Sequence, residues 1–216
     1  MKIAILGTGL VAIALAKGFT SRGHAVVFGT RDVRGATTQT ALAAVVGSSA
    51  AHYAEAAANA EVAVVATSWT GTENALNLAG SANLAGKLVI DVTNPLDFSS
   101  GKPALALGFP NSAGRQIQAW LPDAHVVKAF NIISATRMVD PVFADGIPDM
   151  FIAGNDATAK AQTTVIVKSF GWRSAIDMGD ISQAYLLEAL AMTWIDYGAS
   201  RNHWTHGFSL LSAQPA

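Results

Sequence analysis

The first dozen residues restrict this chain more than any other stretch. Lys2-Ile-Ala-Ile-Leu6 runs directly into Gly7-Thr-Gly9-Leu-Val-Ala12, and a helix-forming segment follows at once. Strand, G-x-G-x-x-A turn and helix in that order describe the opening of a dinucleotide-binding unit. Gly7 permits the sharp turn, and Gly9 lets backbone approach a pyrophosphate with no Cβ in the way. Ala12 is small enough for the helix to pack close on the strand. The helix N-terminus, residues Thr8 to Val11, then offers free N–H groups and the positive end of a dipole to phosphate. A glycine turn alone can be merely structural, so the reading rests on the strand and helix that flank it.

The remaining chain repeats the pattern. Short apolar runs alternate with helix-length segments, which predicts βα units and a parallel sheet. Strands are expected near 2–6, 25–28, 50–53, 62–66, 87–91, 125–129, 149–153 and 172–177, and helices near 10–21, 34–45, 71–79, 112–121, 157–169 and 181–198. The run at 50–53 is alanine-rich and a poor strand former. Asp156 and Asp180 stand where helix N-caps belong, and Gly23 stands just past the first helix. Residues 95–108 carry Pro, Gly and Ser and read as a long loop, a feature usually tied to function. The expected fold is α/β: a Rossmann-type, doubly wound, mostly parallel sheet of about eight strands. Residues 1–180 form the nucleotide-binding domain, and 181–216 a helical extension packed on it.

Composition agrees. Of 216 residues, 51% are hydrophobic and only 13% charged, which suits strands covered on both faces. A net charge of −1 leaves no electrostatic footprint for nucleic acid or an anionic membrane. The chain has no cysteine, so disulfides, thiolate metal sites and cysteine nucleophiles are excluded. Glycines interrupt the apolar N-terminus, which therefore reads as a strand and not as a signal peptide. No window reaches the roughly 18 apolar residues of a membrane span. A soluble, cytoplasmic protein is expected.

The second strand selects the cofactor. It ends in Gly29-Thr30-Arg31, where an NAD enzyme places an acidic residue on the ribose 2′-hydroxyl. Asp32 follows the arginine, where it reads as a helix cap. Thr30 can hydrogen-bond a 2′-phosphate, Arg31 can clamp it with two parallel bonds, and Arg34 adds a second charge. Without the glycine loop the same residues would read as a solvated basic turn. With it they point to NADP(H).

These residues, with Val89-Ile-Asp-Val-Thr-Asn-Pro95, Leu121-Pro-Asp-Ala-His-Val-Val-Lys-Ala-Phe-Asn131 and Leu187-Glu-Ala-Leu-Ala-Met-Thr-Trp194, carry a resemblance over nearly the whole chain. It resembles the NADP oxidoreductases that act with the deazaflavin coenzyme F-420, and is similar to the oxidoreductase domain of the six-transmembrane epithelial antigen of prostate metalloreductases. The resemblance implies that NADP lies across the carboxyl ends of the strands. Thr67, Ser68 and Trp69 would line its centre, and Thr93, Asn94, Pro95, Ala129, Phe130 and Asn131 would surround the nicotinamide. It departs at Arg115, where relatives carry an acidic residue, which implies a change on the acceptor side. The metalloreductases pass electrons through a transmembrane haem domain, and this chain has no apolar span to form one.

Hydride transfer to a flavin or deazaflavin needs two stacked rings and excluded water, and no obligatory acid or base. No catalytic side chain is therefore expected. A carbonyl or imine acceptor would require a proton donor. His125 lies at the strand end opposite the cofactor, and His24 and His52 lie at strand edges. His203 and His206 have a spacing that suits a metal, but without cysteine or a nearby carboxylate pair they read as surface residues near the acceptor pocket, and no metal site is expected. Trp69, Phe109, Phe130 and Trp194 are candidates for a planar acceptor slot, although Leu190, Met192 and Trp194 also read as one buried helix face. The leading function is NADPH-dependent reduction of a deazaflavin or flavin. The alternatives are an imine or carbonyl reductase of the pyrroline-5-carboxylate reductase type and a non-enzymatic NADP(H) sensor. The partner is a small-molecule redox acceptor, and the apolar last helix is a candidate homodimer surface.

Overall fold

The computed structural model describes residues 1–213. The strands are β1 (Lys2–Leu6), β2 (Ala25–Thr30), β3 (Ser49–His52), β4 (Val62–Val65), β5 (Leu88–Asp91), β6 (Leu96–Asp97), β7 (Ala104–Leu105), β8 (His125–Lys128), β9 (Asp149–Gly154) and β10 (Ser174–Asp177). The helices are α1 (Leu10–Ser21), α2 (Ala36–Ala44), α3 (Tyr53–Asn59), α4 (Trp69–Ala79), α5 (Ser81–Leu84), α6 (Ala113–Trp120), α7 (Ala157–Ser169) and α8 (Ala184–Arg201).

Among the described residues, eight strands form one sheet in the order β10-β9-β8-β5-β4-β1-β2-β3, and β6 and β7 form a separate hairpin. Every neighbouring pair in the large sheet is parallel except β8 and β9, which meet antiparallel at Val127 and Gly154. The exception follows from the connection. No crossover helix separates β8 from β9, so the chain turns back at the edge where β8 ends and β9 starts from there.

Strand periodicity divides the core between two faces. Ile3 and Ile5 enter one cluster with Leu15, Phe19 and Phe170, while Ala4 and Leu6 enter the other with Ala57, Leu76 and Ile117. Burial of each such Leu, Ile or Phe contributes about 1.5–3 kcal/mol. α1 buries Ala12, Leu15, Ala16 and Phe19, a helical i, i+3, i+4, i+7 stripe, against the first face. α4 buries Thr72, Ala75, Leu76 and Ala79 against the second. The chain thus leaves β1 toward one face and the adjacent β4 toward the other. That divergence opens a crevice at the carboxyl ends of β1 and β4.

Some expectations need correction. The segment after β3 is the helix α3, because Tyr53-Ala-Glu-Ala-Ala-Ala-Asn59 is dominated by strong helix formers. The expected loop at 95–108 contains the β6–β7 hairpin, with Leu96 opposite Leu105. The last helix starts as a single 3-10 turn at Ile181–Gln183 and then runs to Arg201, where Asn202 ends it in left-handed conformation. Its buried stripe is Ala184, Leu187, Glu188, Ala191, Trp194 and Gly198, with Leu190 and Met192 half-buried beside it. Asp156 and Asp180 do cap, accepting from the backbone N–H of Ala159 and Ser182. Asp32 does not cap α2. It accepts from the N–H of Arg34 at 2.9 Å and closes a turn, while Gly35 starts the helix. The expected extension runs to residue 216, and its last three positions lie outside the described residues. Among those described, no helix is long and apolar enough to cross a membrane.

Candidate functional site

The crevice is built on backbone that only certain residues allow. Gly7 has φ +125°, and a Cβ there would lie 2.4 Å from the Ala66 carbonyl oxygen at the end of β4. Its N–H donates to Gly29 O at 3.0 Å, tying the turn to β2. Gly9 begins α1 in extended conformation, with no side chain capping the first turn. Nothing lies within 4 Å of where its Cβ would be. The resulting cavity of about 340 Å³ is lined by Gly7, Thr8 and Gly9 on one side and Arg31, Tyr53 and Thr67 on the other. It shares Gly9, Ala66, Thr67 and Ser68 with a second cavity of about 510 Å³ that reaches Trp69, Thr93 and Asn94. The two form one elongated cleft, and its second cavity has no ionisable residue in its lining.

At the first end Arg31 is exposed and is the one charged side chain in the lining. Burial pushes the Tyr53 phenol above its ordinary pKa, and the nearby Arg31 charge pulls the other way. The Thr30 hydroxyl is turned inward: it accepts from Asp32 N–H and meets the Thr38 hydroxyl at 3.2 Å. Thr30 therefore shapes the turn, and its side chain is not offered to a phosphate, contrary to expectation. Arg34 is exposed outside the lining of either cavity. Sequence reasoning missed Tyr53 and Asn74 in this wall. Tyr53 follows β3 directly, at the carboxyl end where ligands sit, and that position was the available signal.

At the second end the expected residues form a bonded frame. Thr93 donates from both its N–H and its hydroxyl to Asp91 Oδ1, at 2.8 and 2.7 Å. Asn94 Nδ2 donates to Asn131 O, and Asn131 Nδ2 donates to Asn94 Oδ1 and to Leu187 O of α8. Pro95 and Ala129 are buried behind them. Asn131 is 4% exposed, and its Oδ1 has no partner among the described residues. A carboxamide N–H would satisfy that acceptor, and the open space at Gly9 accommodates a pyrophosphate. The residues present therefore fit a nicotinamide dinucleotide.

Under this frame lies a buried charge cluster that the sequence did not announce. Lys128, Asp91 and Glu188 are all 0% exposed. Lys128 Nζ lies 2.9 Å from Asp91 Oδ2 and 3.0 Å from Glu188 Oε1, and also donates to Thr93 O. Glu188 accepts from the N–H groups of Ala113 and Gly114 and so holds the first turn of α6. Burial opposes the Lys128 charge, but the two carboxylates outweigh it and hold its pKa above the ordinary lysine value. The three residues sit within the motifs quoted above. Their convergence needs β5, β8 and α8 to meet, which sequence spacing does not reveal.

The aromatic slot divides. Phe130, with φ +61°, packs its ring in the core against Phe170 and Trp172, so its side chain does not border the cleft. Trp194 packs on Trp204 and His206, and its indole donates to His206 O. Trp69 lines the cleft and also stacks on Trp120 at 5.6 Å. Phe109 is exposed, edge-on to Tyr185. Phe98, on the β6–β7 hairpin, lines the cleft and was missed because residues 95–108 read as structureless. Arg115 donates to Pro110 O and lines a groove with His125 and Asp156, away from the cleft. His203 and His206 stack 5.7 Å apart beside Tyr197, in the C-terminal segment.

A family model described as NADP oxidoreductase, coenzyme F420-dependent, matches residues 2–95. The chain is 40% identical to a candidate F420-dependent NADP-reductase from Arthrobacter sp. FB24, whose crystal structure superposes with TM-score 0.93 over 98% of this chain and 100% of that one. It is 31% identical over 193 residues to the metalloreductase STEAP3 of Rattus norvegicus, covering 88% of this chain and spanning only 36% of that protein. An imine reductase from Streptomyces aurantiacus, 16% identical with TM-score 0.66 over 94% of this chain and 64% of that one, shares the fold.

Proposed function

The chain belongs to the NADP oxidoreductase, coenzyme F420-dependent family, and on that premise we propose that it transfers a hydride between NADPH and a deazaflavin or flavin acceptor. The single observation that carries the acceptor reading is the second cavity of the cleft, whose lining has hydroxyls, amides and apolar groups but no acid or base. Such a site suits a reaction in which the cofactor supplies the chemistry, here a hydride, and the protein supplies alignment and dryness. In this proposal Gly7, Thr8, Gly9, Leu10 and Val11 take the pyrophosphate, and Arg31 takes the 2′-phosphate with Arg34 as an outer charge. Thr67, Ser68 and Trp69 hold the middle. Thr93, Asn94 and Asn131 orient the nicotinamide, with Pro95, Ala129 and Phe130 supporting them from behind.

Residues 181–216 serve as an extension of the nucleotide domain of residues 1–180. Two contacts support this: Leu187 O accepts from Asn131, and Glu188 caps α6. The proposal further takes the protein as cytoplasmic, with a small-molecule acceptor, a second copy of itself as its candidate partner, and no membrane or nucleic-acid role.

The test is NADPH oxidation followed by loss of its absorbance, with deazaflavin, FMN, FAD and a ferric chelate offered in parallel. Turnover with a flavin or deazaflavin, and little with NADH, is the expected result. NADPH binding without turnover of any of these would reject the acceptor assignment and favour a sensor. An imine or carbonyl acceptor would need a proton donor, and the cleft lining supplies only hydroxyls for that role.

A further inference from the structure

The cleft does not end at Leu10. That side chain is 80% exposed and lines both the cleft and a neighbouring groove of about 400 Å³ between α1 and residues 135–139. One wall of the groove is Leu10, Ile13, Ala14 and Lys17, the i, i+3, i+4, i+7 stripe of α1 opposite its buried face; the other includes Thr136 and Val139. Lys17 is the only charged side chain in this lining, is exposed, and forms no ion pair among the described residues. A cavity of about 920 Å³ between residues 142–148 and the C-terminal segment 203–209 shares no lining residue with the cleft and offers no such continuation.

We propose that this groove is the subsite for the acceptor's anionic side chain, with Lys17 as its phosphate contact. The inference rests on the reading of the acceptor as a flavin or deazaflavin. An uncharged ring system matches the cavity without ionisable groups, and it must lie there to meet the nicotinamide. Its substituent then leaves past Leu10. From Leu10 to Lys17 is two helical turns, about 10 Å. A polyol chain ending in phosphate is of that order of length. Along the path the Thr136 hydroxyl, itself 3.0 Å from Ser134 Oγ, faces the polyol, and the apolar stripe covers its carbon skeleton. Lys17 supplies the one positive charge at the end where the phosphate would arrive.

The test compares acceptors that differ only in that substituent: FMN against riboflavin, and coenzyme F420 against its deazaflavin ring lacking the phosphate-bearing tail. The readout is the ratio of kcat/KM within each pair at fixed NADPH. Charge reversal, Lys17→Glu, should lower the charged-to-uncharged ratio roughly fivefold, the scale of an exposed ion pair, and added salt should shrink the wild-type ratio. Lys17→Arg should retain it. Both substitutions are on an exposed helix position, and thermal melting checks that the fold is intact. An unchanged ratio in Lys17→Glu with both members turned over overturns the subsite alone. Turnover of no flavin or deazaflavin overturns the acceptor reading and the subsite with it. A change in sedimentation of Lys17→Glu with an unchanged ratio assigns the groove to a second copy of the chain and likewise overturns the proposal.

Discussion

Replacing Arg31 with alanine tests the cofactor assignment at its most discriminating point. Arg31 is the one charged side chain lining the first cavity, and the Thr30 hydroxyl is consumed by Asp32 and Thr38. Preference for a 2′-phosphate over a 2′-hydroxyl therefore falls mainly on one guanidinium. A hydrogen bond to a charged group is worth about 1.5–3 kcal/mol. Arg31 is exposed, so solvent screening reduces this to about 1–2 kcal/mol. At 1.4 kcal/mol per tenfold, Arg31→Ala should weaken NADPH roughly 5- to 30-fold. NADH, which lacks the phosphate, should weaken less than about twofold by the same arithmetic. The assay is titration of each nucleotide against protein fluorescence, repeated at high salt, where the wild-type preference should contract. Equal weakening of both nucleotides, or retained NADPH preference, would refute the assignment of the 2′-phosphate to Arg31.

Other outcomes follow from the same geometry. Gly9→Val should remove binding of both nucleotides while thermal melting stays near wild type, since the new side chain enters open space in the cleft; retained binding would place the pyrophosphate elsewhere. Glu188→Ala takes a carboxylate from buried Lys128 and leaves the buried Ala113 and Gly114 N–H groups without their acceptor, and should cost about 3–5 kcal/mol. Calorimetry would then record a melting point lower by roughly 10–15 °C, and a shift under 3 °C would contradict the role of the cluster. The Lys128 pKa is raised in the fold, so its contribution is complete below the unfolded value of about 10.4 and is lost as pH rises through the folded value. Alkaline denaturation should thus occur at lower pH in Glu188→Ala than in wild type. Asp149 behaves oppositely: burial opposes its charge, but bonds from Arg173, Ser174 and Leu210 N–H hold its pKa below the usual carboxylate value. Its contribution is present above about 3.9 and is lost as pH falls through the folded value, which should release the Phe208–Leu210 segment in acid. Protease nicking there at low pH but not at neutral pH is the expected sign, and a pH-independent pattern would count against it.

The elements whose residues touch near neighbours in sequence were legible in advance. β1, the Gly7–Gly9 turn and α1 follow one another within twenty residues, and their glycine geometry and 3.6-residue stripe are properties of that segment alone. The same holds for the Asp156 cap and for the apolar strands β4 and β5. The strand order that sets β4 beside β1, with their helices on opposite faces, opens the cleft and was decided by the tertiary structure.

Contacts between distant segments were not legible. Phe130 follows a strand at the ligand end, yet its backbone is left-handed, its ring packs in the core, and the next residue, Asn131, is hydrogen-bonded to the cleft residue Asn94. Lys128, Asp91 and Glu188 are isolated charges in apolar runs, separated by 37 and 60 positions from Lys128, and nothing local distinguishes them from a strand end or a helix surface. Burial makes the difference: without water each charge requires its partners, so the assembled core determines where they meet. Local conformational preference and apolar period are written along the chain and so determined the fold class and the phosphate loop. Which polar atoms are satisfied by protein, and which face the cleft, depends on long-range packing that only the tertiary structure decided.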